Sequence, residues 1–276
     1  MKIGFIDYFL DEWHANNYPK WMLGASDGKD VVAYAYGMID SPHGGMTTEQ
    51  WCKEYGISKC NTIEELIEKS DVLVVLSPDN CEMHEQLCQL PLRSGKPTYV
   101  DKTFAPDADT ARRIFDIADQ NGTPCYSTSA LRYASEYKGV DTDTVKAVSC
   151  WGGGNFEIYS IHQLEPMIML MKAQAKRVMY LSGERWLTLA VEFVDGRMGT
   201  ISQFEDGSPF ITNVCCKGGN KLLHIESDMF RIFIDEMLDF FRTKVIKVPH
   251  DETIAIMAVR AAGMKAQEMP GKWIMV

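Results

Sequence analysis

Apolar residues in the first half of the chain come in short blocks, separated by stretches with helical spacing. Ile3 to Ile6 reads as a first buried strand and Val31 to Tyr36 as a second. Asp71 to Leu76 (DVLVVL) is almost unbroken Val and Leu, as expected of a central strand covered on both faces. Thr98 to Val100 and Cys125 to Ser127 continue the series, and helical patterns such as Thr62 to Lys69 and Glu82 to Arg93 precede them. Strands alternating with helices in this way predict a parallel, doubly wound sheet with right-handed crossovers, the Rossmann arrangement.

After about residue 128 the pattern changes. Leu187 to Phe193 and Met198 to Phe204 flank Asp195-Gly196, a hairpin signal, and Ile211 to Lys217 and Lys221 to Glu226 flank Gly218-Gly219-Asn220. Phe230, Phe233, Ile234, Met237, Leu238 and Phe241 line one helix face, and residues 253–268 suit a last helix. The expected architecture is α/β: a Rossmann-like domain over 1–127, then an α+β domain with an antiparallel sheet over 128–276.

Composition narrows the function classes. A net charge of −10 and no basic patch argue against nucleic acid. No apolar run reaches the roughly 18 to 20 residues that cross a bilayer, and the N-terminus lacks a basic region followed by an apolar stretch, so a soluble cytoplasmic protein is the default. The eight cysteines form no C-x-x-C pair and read as buried thiols rather than metal ligands or a disulfide framework.

The chemistry concentrates in Gly95 to Tyr133. Thr98 to Val100 delivers Asp101 and Lys102 at a strand's carboxyl end, just before a helix from Asp109 that Gly122 is placed to stop. Open α/β sheets bind ligands at such ends. Alone, the segment is equally a surface Lys-Asp pair.

The run GKPTYVDKT resembles the GKHV-x-x-EKP-like run of the glucose-fructose oxidoreductase and inositol dehydrogenase family (Gfo/Idh/MocA), with Asp101 for the glutamate, Lys102 keeping the lysine and Thr103 for the proline. The resemblance implies that Lys102 helps position and move the proton of a hydroxyl beside a nicotinamide, that NAD or NADP is the cofactor, and that the C-terminal sheet assembles a homodimer or homotetramer. After DVLVVL, Ser77, Pro78 and Asp79 resemble the family's turn against the nicotinamide ribose, while His84 comes two residues late and equally suits an ordinary first helical turn. Gly152 to Leu170 resembles the family's D-x-G-x-H-x-x-D helix, with Ile158, Ser160, His162 and Glu165 in the four places. His162 with Lys102 is then an acid/base pair, Glu165 three residues on could orient the imidazole, and Tyr159 could share the cleft. Glu157 could replace the acid lost at 158, and Arg132 is either a substrate contact or an interdomain salt bridge.

Two departures bear on the cofactor. The dinucleotide fingerprint needs three glycines after the first strand, but their places fall near Asp7, Phe9 and Glu12. Asp7, Tyr8 and Phe9 would make the cofactor contacts there, with Asp101 beside them. A carboxylate 4 to 8 Å from a phosphate charge costs about 2 to 4 kcal/mol, roughly 30-fold to 1,000-fold in affinity. The second strand ends in Tyr36-Gly37 without a ribose acid, unless Asp40 is reached by a longer loop. SPHGG (41–45) could fold back over an adenosine or be a plain turn, and WHANN (13–17) suggests a recognition loop for a polyol or amide. Three readings follow: an NAD(P)-dependent oxidoreductase acting on a sugar, inositol or related polyol; a catalytically silent binder of a small polar ligand; and a redox-neutral lyase or isomerase using Lys102.

Overall fold

The computed structural model describes residues 1–205 and 207–276, and the chain falls into two compact units. The first comprises Met1–Thr128 together with Arg231–His250, and the second comprises Ser129–Phe230 with Asp251–Val276. The stretch 231–250, expected in the C-terminal domain, therefore belongs to the N-terminal unit.

In the first unit the strands are β1 (Lys2–Asp7), β2 (Val31–Gly37), β3 (Ser58–Lys59), β4 (Val72–Val75), β5 (Thr98–Val100) and β6 (Cys125–Tyr126). They form one parallel sheet in the order β3-β2-β1-β4-β5-β6. The order reverses between β1 and β4, so the crevice that takes ligands in this fold opens beside Asp7, the last residue of β1. β4 is buried along its whole length, as its Val/Leu run requires. Gly4 is no phosphate-loop glycine. A Cβ there would lie 2.4 Å from Ser70 Oγ and 2.5 Å from Leu66 Cδ2, so the missing side chain lets α3 (Ile63–Lys69) sit against β1.

The helices of the first unit are α1 (Trp13–Ala25), α2 (Thr48–Tyr55), α3, α4 (His84–Leu87) and α5 (Ala108–Gln120). The helix expected over Glu82 to Arg93 is broken into α4 and two 3₁₀ turns, Cys81–Met83 and Pro91–Arg93, because Pro91 cannot donate within a helix. WHANN is not a loop but the first turns of α1.

The second unit contains β7 (Val145–Gly153), α6 (Phe156–Met171), β8 (Ala175–Ser182), β9 (Trp186–Phe193), β10 (Met198–Phe204), β11 (Ile211–Cys216) and β12 (Gly219–His224). Then come α7 (Met229–Thr243), which passes into the first unit, α8 (His250–Gln267) and β13 (Trp273–Met275). The sheet runs β12-β11-β7-β10-β9-β8-β13 and is antiparallel except for the parallel pair β7 and β10. The Asp195-Gly196 hairpin joins β9 and β10 as its turn chemistry requires. The next hairpin is tighter than the glycines suggest: Cys216 pairs with Gly219, so Gly219 and Asn220 already lie in β12.

Within the first unit, α7 lays Phe233 against Tyr18 and Tyr99 at ring distances of 5.7 and 5.5 Å, and Phe240 against Tyr126 at 4.7 Å. No helix among the described residues is long and apolar enough to cross a membrane.

Candidate functional site

The carboxyl ends of β1 and β5 carry a buried polar cluster. Asp101 is fully buried, and its Oδ2 lies 2.5 Å from His14 Nδ1, a close ion pair rather than an aligned hydrogen bond. Its Oδ1 accepts from Tyr99 Oη at 3.1 Å and more distantly from Tyr18 Oη at 3.5 Å. Burial alone would raise the Asp101 pKa, but His14 and Lys102 outweigh it and hold this carboxyl below its ordinary range. His14 is kept in place by stacking on Tyr18, at 5.1 Å between ring centres.

Lys102 follows directly. It is only 8% exposed, and its ammonium forms no hydrogen bond or ion pair among the described residues. His84 fixes the loop around it. The fully buried imidazole spans Leu76 O at 2.7 Å from Nε2 and Phe104 O at 3.0 Å from Nδ1. Both ring nitrogens are thus engaged, so His84 joins the turn after β4 to the loop after Lys102 and offers no edge to a ribose. Burial lowers its pKa. In the same turn Ser77 has φ +101°, and its hydroxyl donates to Asn80 O at 3.0 Å; Pro78 is buried and Asp79 exposed.

The β1–α1 junction departs furthest from a phosphate cradle. Glu12 is the N-cap of α1, and its carboxylate accepts from the backbone amides of His14 at 2.7 Å and of Ala15. Burial raises its pKa from 4.5 to about 7. Asp7 is 1% exposed, and both carboxylate oxygens lack a well-formed hydrogen bond. Its pKa is raised strongly, by burial first and then by Glu12, with only partial relief from the Tyr8 and Phe9 amides. The seat is therefore less negative than three ionised carboxylates would make it, and correspondingly more crowded. Phe9 and Leu10 are buried, Tyr8 packs against Phe9, and Phe9 meets His43 of SPHGG edge-on at 5.7 Å.

SPHGG is stitched to this junction. Ile39 N donates to Tyr8 O at 2.9 Å and Met46 N to Asp11 Oδ2 at 2.7 Å. Asp40 accepts from Thr48 N at 2.8 Å, at the start of α2. The polar side chains of WHANN are also engaged internally: Asn16 joins Asp11 Oδ1 to Trp51 Nε1, Asn17 binds Trp13 O, and His14 holds Asp101. The recognition loop expected there is a structural hub instead.

In the second unit, Asn155 caps α6 by accepting from Ile158 N at 2.9 Å. Gly154 has φ +88°, and a Cβ on it would meet the Tyr159 ring at 2.3 Å, so the glycine serves close approach of Tyr159. Tyr159 is half exposed and contacts His162 at 5.7 Å. His162 Nδ1 bonds Ser129 Oγ at 2.8 Å. The Glu165 carboxylate accepts from Arg132 Nε at 2.7 Å, and Glu252 accepts from the same guanidinium. Burial works against that positive charge, but the two carboxylates prevail and raise its pKa. Arg132 and both its partners lie in the second unit, so this ion pair is not interdomain. Glu157 is exposed in the first turn of α6, and Ile158 is only half-buried.

With this geometry in hand, comparison with known proteins separates sequence from fold. Residues 41–129 match a family described as oxidoreductases with an NAD-binding Rossmann fold. This stretch belongs to the Gfo/Idh/MocA family. It holds Ser77–Asp79, His84, Asp101 and Lys102 but begins after the β1–α1 junction. Among curated proteins, none matches the sequence. Solved structures share the fold of the whole chain at low identity. The myo-inositol dehydrogenase of Lactobacillus casei, in complex with NAD(H) and myo-inositol, has a TM-score of 0.82 at 11% identity, covering 100% of this chain and 97% of its own. For the myo-inositol 2-dehydrogenase of Lactobacillus plantarum the TM-score is 0.76 at 12% identity, with 100% and 99% covered. GenD2 of gentamicin A biosynthesis, in complex with NAD, gives 0.76 at 14%, with 100% and 96% covered.

A Gfo/Idh/MocA domain implies a dinucleotide whose pyrophosphate sits on the first helix N-terminus. In this chain the first-turn amides of α1 are already engaged by Glu12, and bulky buried side chains stand where glycine backbone would be. The residues present do not fit a pyrophosphate at that position.

Proposed function

We propose that this chain moves a proton at a hydroxyl of a sugar, an inositol or a related polyol, with Lys102 as the group that carries it. The observation behind this reading is Lys102 at the carboxyl end of β5, 8% exposed as a residue, with its ammonium in no hydrogen bond or ion pair among the described residues. An amine placed so at a strand end is the expected receptor of a ligand oxygen. Asp101 beside it supplies the balancing charge, and His84 fixes the loop.

Two versions of the chemistry use Lys102 as the proton carrier, at the hydroxyl in an oxidation and at the carbon beside a carbonyl in a redox-neutral reaction. Oxidation of the hydroxyl, with NAD or NADP as acceptor, is supported by the family of residues 41–129 and by the fold shared with inositol dehydrogenases. A redox-neutral reaction, an isomerisation or elimination on a keto-sugar or inosose, is favoured by Glu12 standing in the pyrophosphate's place. The roles of His162 and Tyr159 rest on the resemblance of α6 to the family's substrate helix.

A panel of inositols, aldoses and their keto forms tests the proposal. Wild type is followed at 340 nm with each nicotinamide, and in D₂O without any, by NMR. Reduction of a nicotinamide supports the first version, and deuterium entering the substrate carbon supports the second. Lys102→Ala should abolish either signal. A panel that binds without reacting would replace this reading with that of a silent ligand-binding relative, and turnover unchanged in Lys102→Ala would overturn it.

A further inference from the structure

We propose that the Glu12 carboxyl group fills the pyrophosphate seat of this fold, and that by filling it the chain excludes NAD, NADP and other diphosphate-bearing ligands. The inference does not depend on the role given to Lys102: either can fail while the other stands.

The seat is defined by position. It lies at the N-terminus of a thirteen-residue helix that follows the first strand of a β3-β2-β1-β4-β5-β6 sheet, beside the point where strand order reverses. A bound diphosphate is held there by first-turn amides and by the positive end of the helix. Here the His14 and Ala15 amides both point at the Glu12 carboxylate, and Asn16 N closes the ordinary helical bond to Glu12 O at 2.9 Å. A second observation agrees with the first. Asp7, the last residue of β1, puts a second buried carboxyl group at the same junction, where the fold's fingerprint has bare glycine backbone. Phe9 and Leu10, buried in the turn, remove the bare backbone that close approach needs.

To bind a dinucleotide in the usual pose, the chain would have to expel Glu12 from its amides or accept a phosphate within about 4 to 8 Å of it. Above about pH 7, where Glu12 is ionised, the second course alone weakens binding roughly 30-fold to 1,000-fold. Removing the carboxylate while keeping a capping oxygen should reverse much of that loss, and serine, a good N-cap, does both.

The test is a titration at pH 8 of wild type, Glu12→Ser and Glu12→Gln with NADH and NADPH, read by energy transfer from tryptophan to nicotinamide; Trp13 and Trp21 lie on α1 itself. Circular dichroism confirms that each variant is folded. The expected result is a wild type that does not saturate at about 1 mM, and a Glu12→Ser protein that binds at least roughly 30-fold more tightly. Glu12→Gln, similar in size but uncharged, should fall between them and serves alone if the serine variant does not fold. Saturation of wild type at micromolar cofactor would overturn the proposal whatever the variants do. Two folded variants that bind no better than wild type would also overturn it, because another group would then be excluding the cofactor.

Discussion

Replacing Glu12 with glutamine should flatten the dependence of stability on pH. In the folded chain Glu12 keeps its proton up to about pH 7, against 4.5 for an ordinary glutamate, because burial disfavours the charged form. Between those values the folded state holds a proton that the unfolded state has released. The stabilisation from that proton is therefore complete below about pH 4.5 and is lost as pH rises through about 7. The gap corresponds to about 3 kcal/mol. Asp7, raised by the same burial, acts in the same direction, while His84, held below 6.5 by burial, acts in the opposite one, so the Glu12 share is the difference in slope between wild type and variant. Urea unfolding followed by circular dichroism at pH 5, 6, 7 and 8 gives the midpoints. Wild type should lose stability steadily across that range, and Glu12→Gln should lose markedly less. A variant whose stability depends on pH as steeply as that of wild type would refute the placement of Glu12 as a buried cap.

Other features give sharper single-site expectations. Arg132→Ala should cost about 3 to 5 kcal/mol by removing the guanidinium that Glu165 and Glu252 share, with Arg132→Met costing less because it refills the volume; thermal melts distinguish the two. Trp51→Phe should cost about 1 to 3 kcal/mol in urea unfolding, since Asn16 Oδ1 loses its indole donor. Gly154→Ala should cost about 1 to 3 kcal/mol and displace Tyr159, visible in a crystal structure of the variant, because φ +88° and the ring 2.3 Å away both oppose a side chain.

Much of the first unit was legible because its strands are written in one alphabet. DVLVVL admits only a buried strand, and Thr62 and Asp107, capping α3 and α5, mark where helices begin. Lys102 was legible for the same reason: once β5 is placed, its end is placed. β7 was not, since VKAVSCWGG mixes lysine, cysteine and glycine and carries no clean alternation. α1 was obscured because its first residues turn polar groups inward, to Asp101, Asp11 and Trp51, rather than presenting an apolar stripe. The sequence shows Glu12 as a carboxylate at a damaged fingerprint and predicts repulsion. It does not show that the carboxylate has its own amides, because that depends on the helix starting at Trp13. Glu165 is similar: spacing puts it one turn from His162, but Arg132, far away in sequence, binds it.

The return of residues 231–250 to the first unit has a consequence for synthesis. The rings of Tyr99 and Tyr126 emerge from the ribosome long before Phe233 and Phe240, which cover them in the finished molecule. At roughly 5 to 20 residues per second, the 120 or so residues from Thr128 to His250 take about 6 to 24 s to make. A nascent chain stalled at Thr128 should therefore remain protease-sensitive, and release to full length should be what makes its parallel sheet resistant.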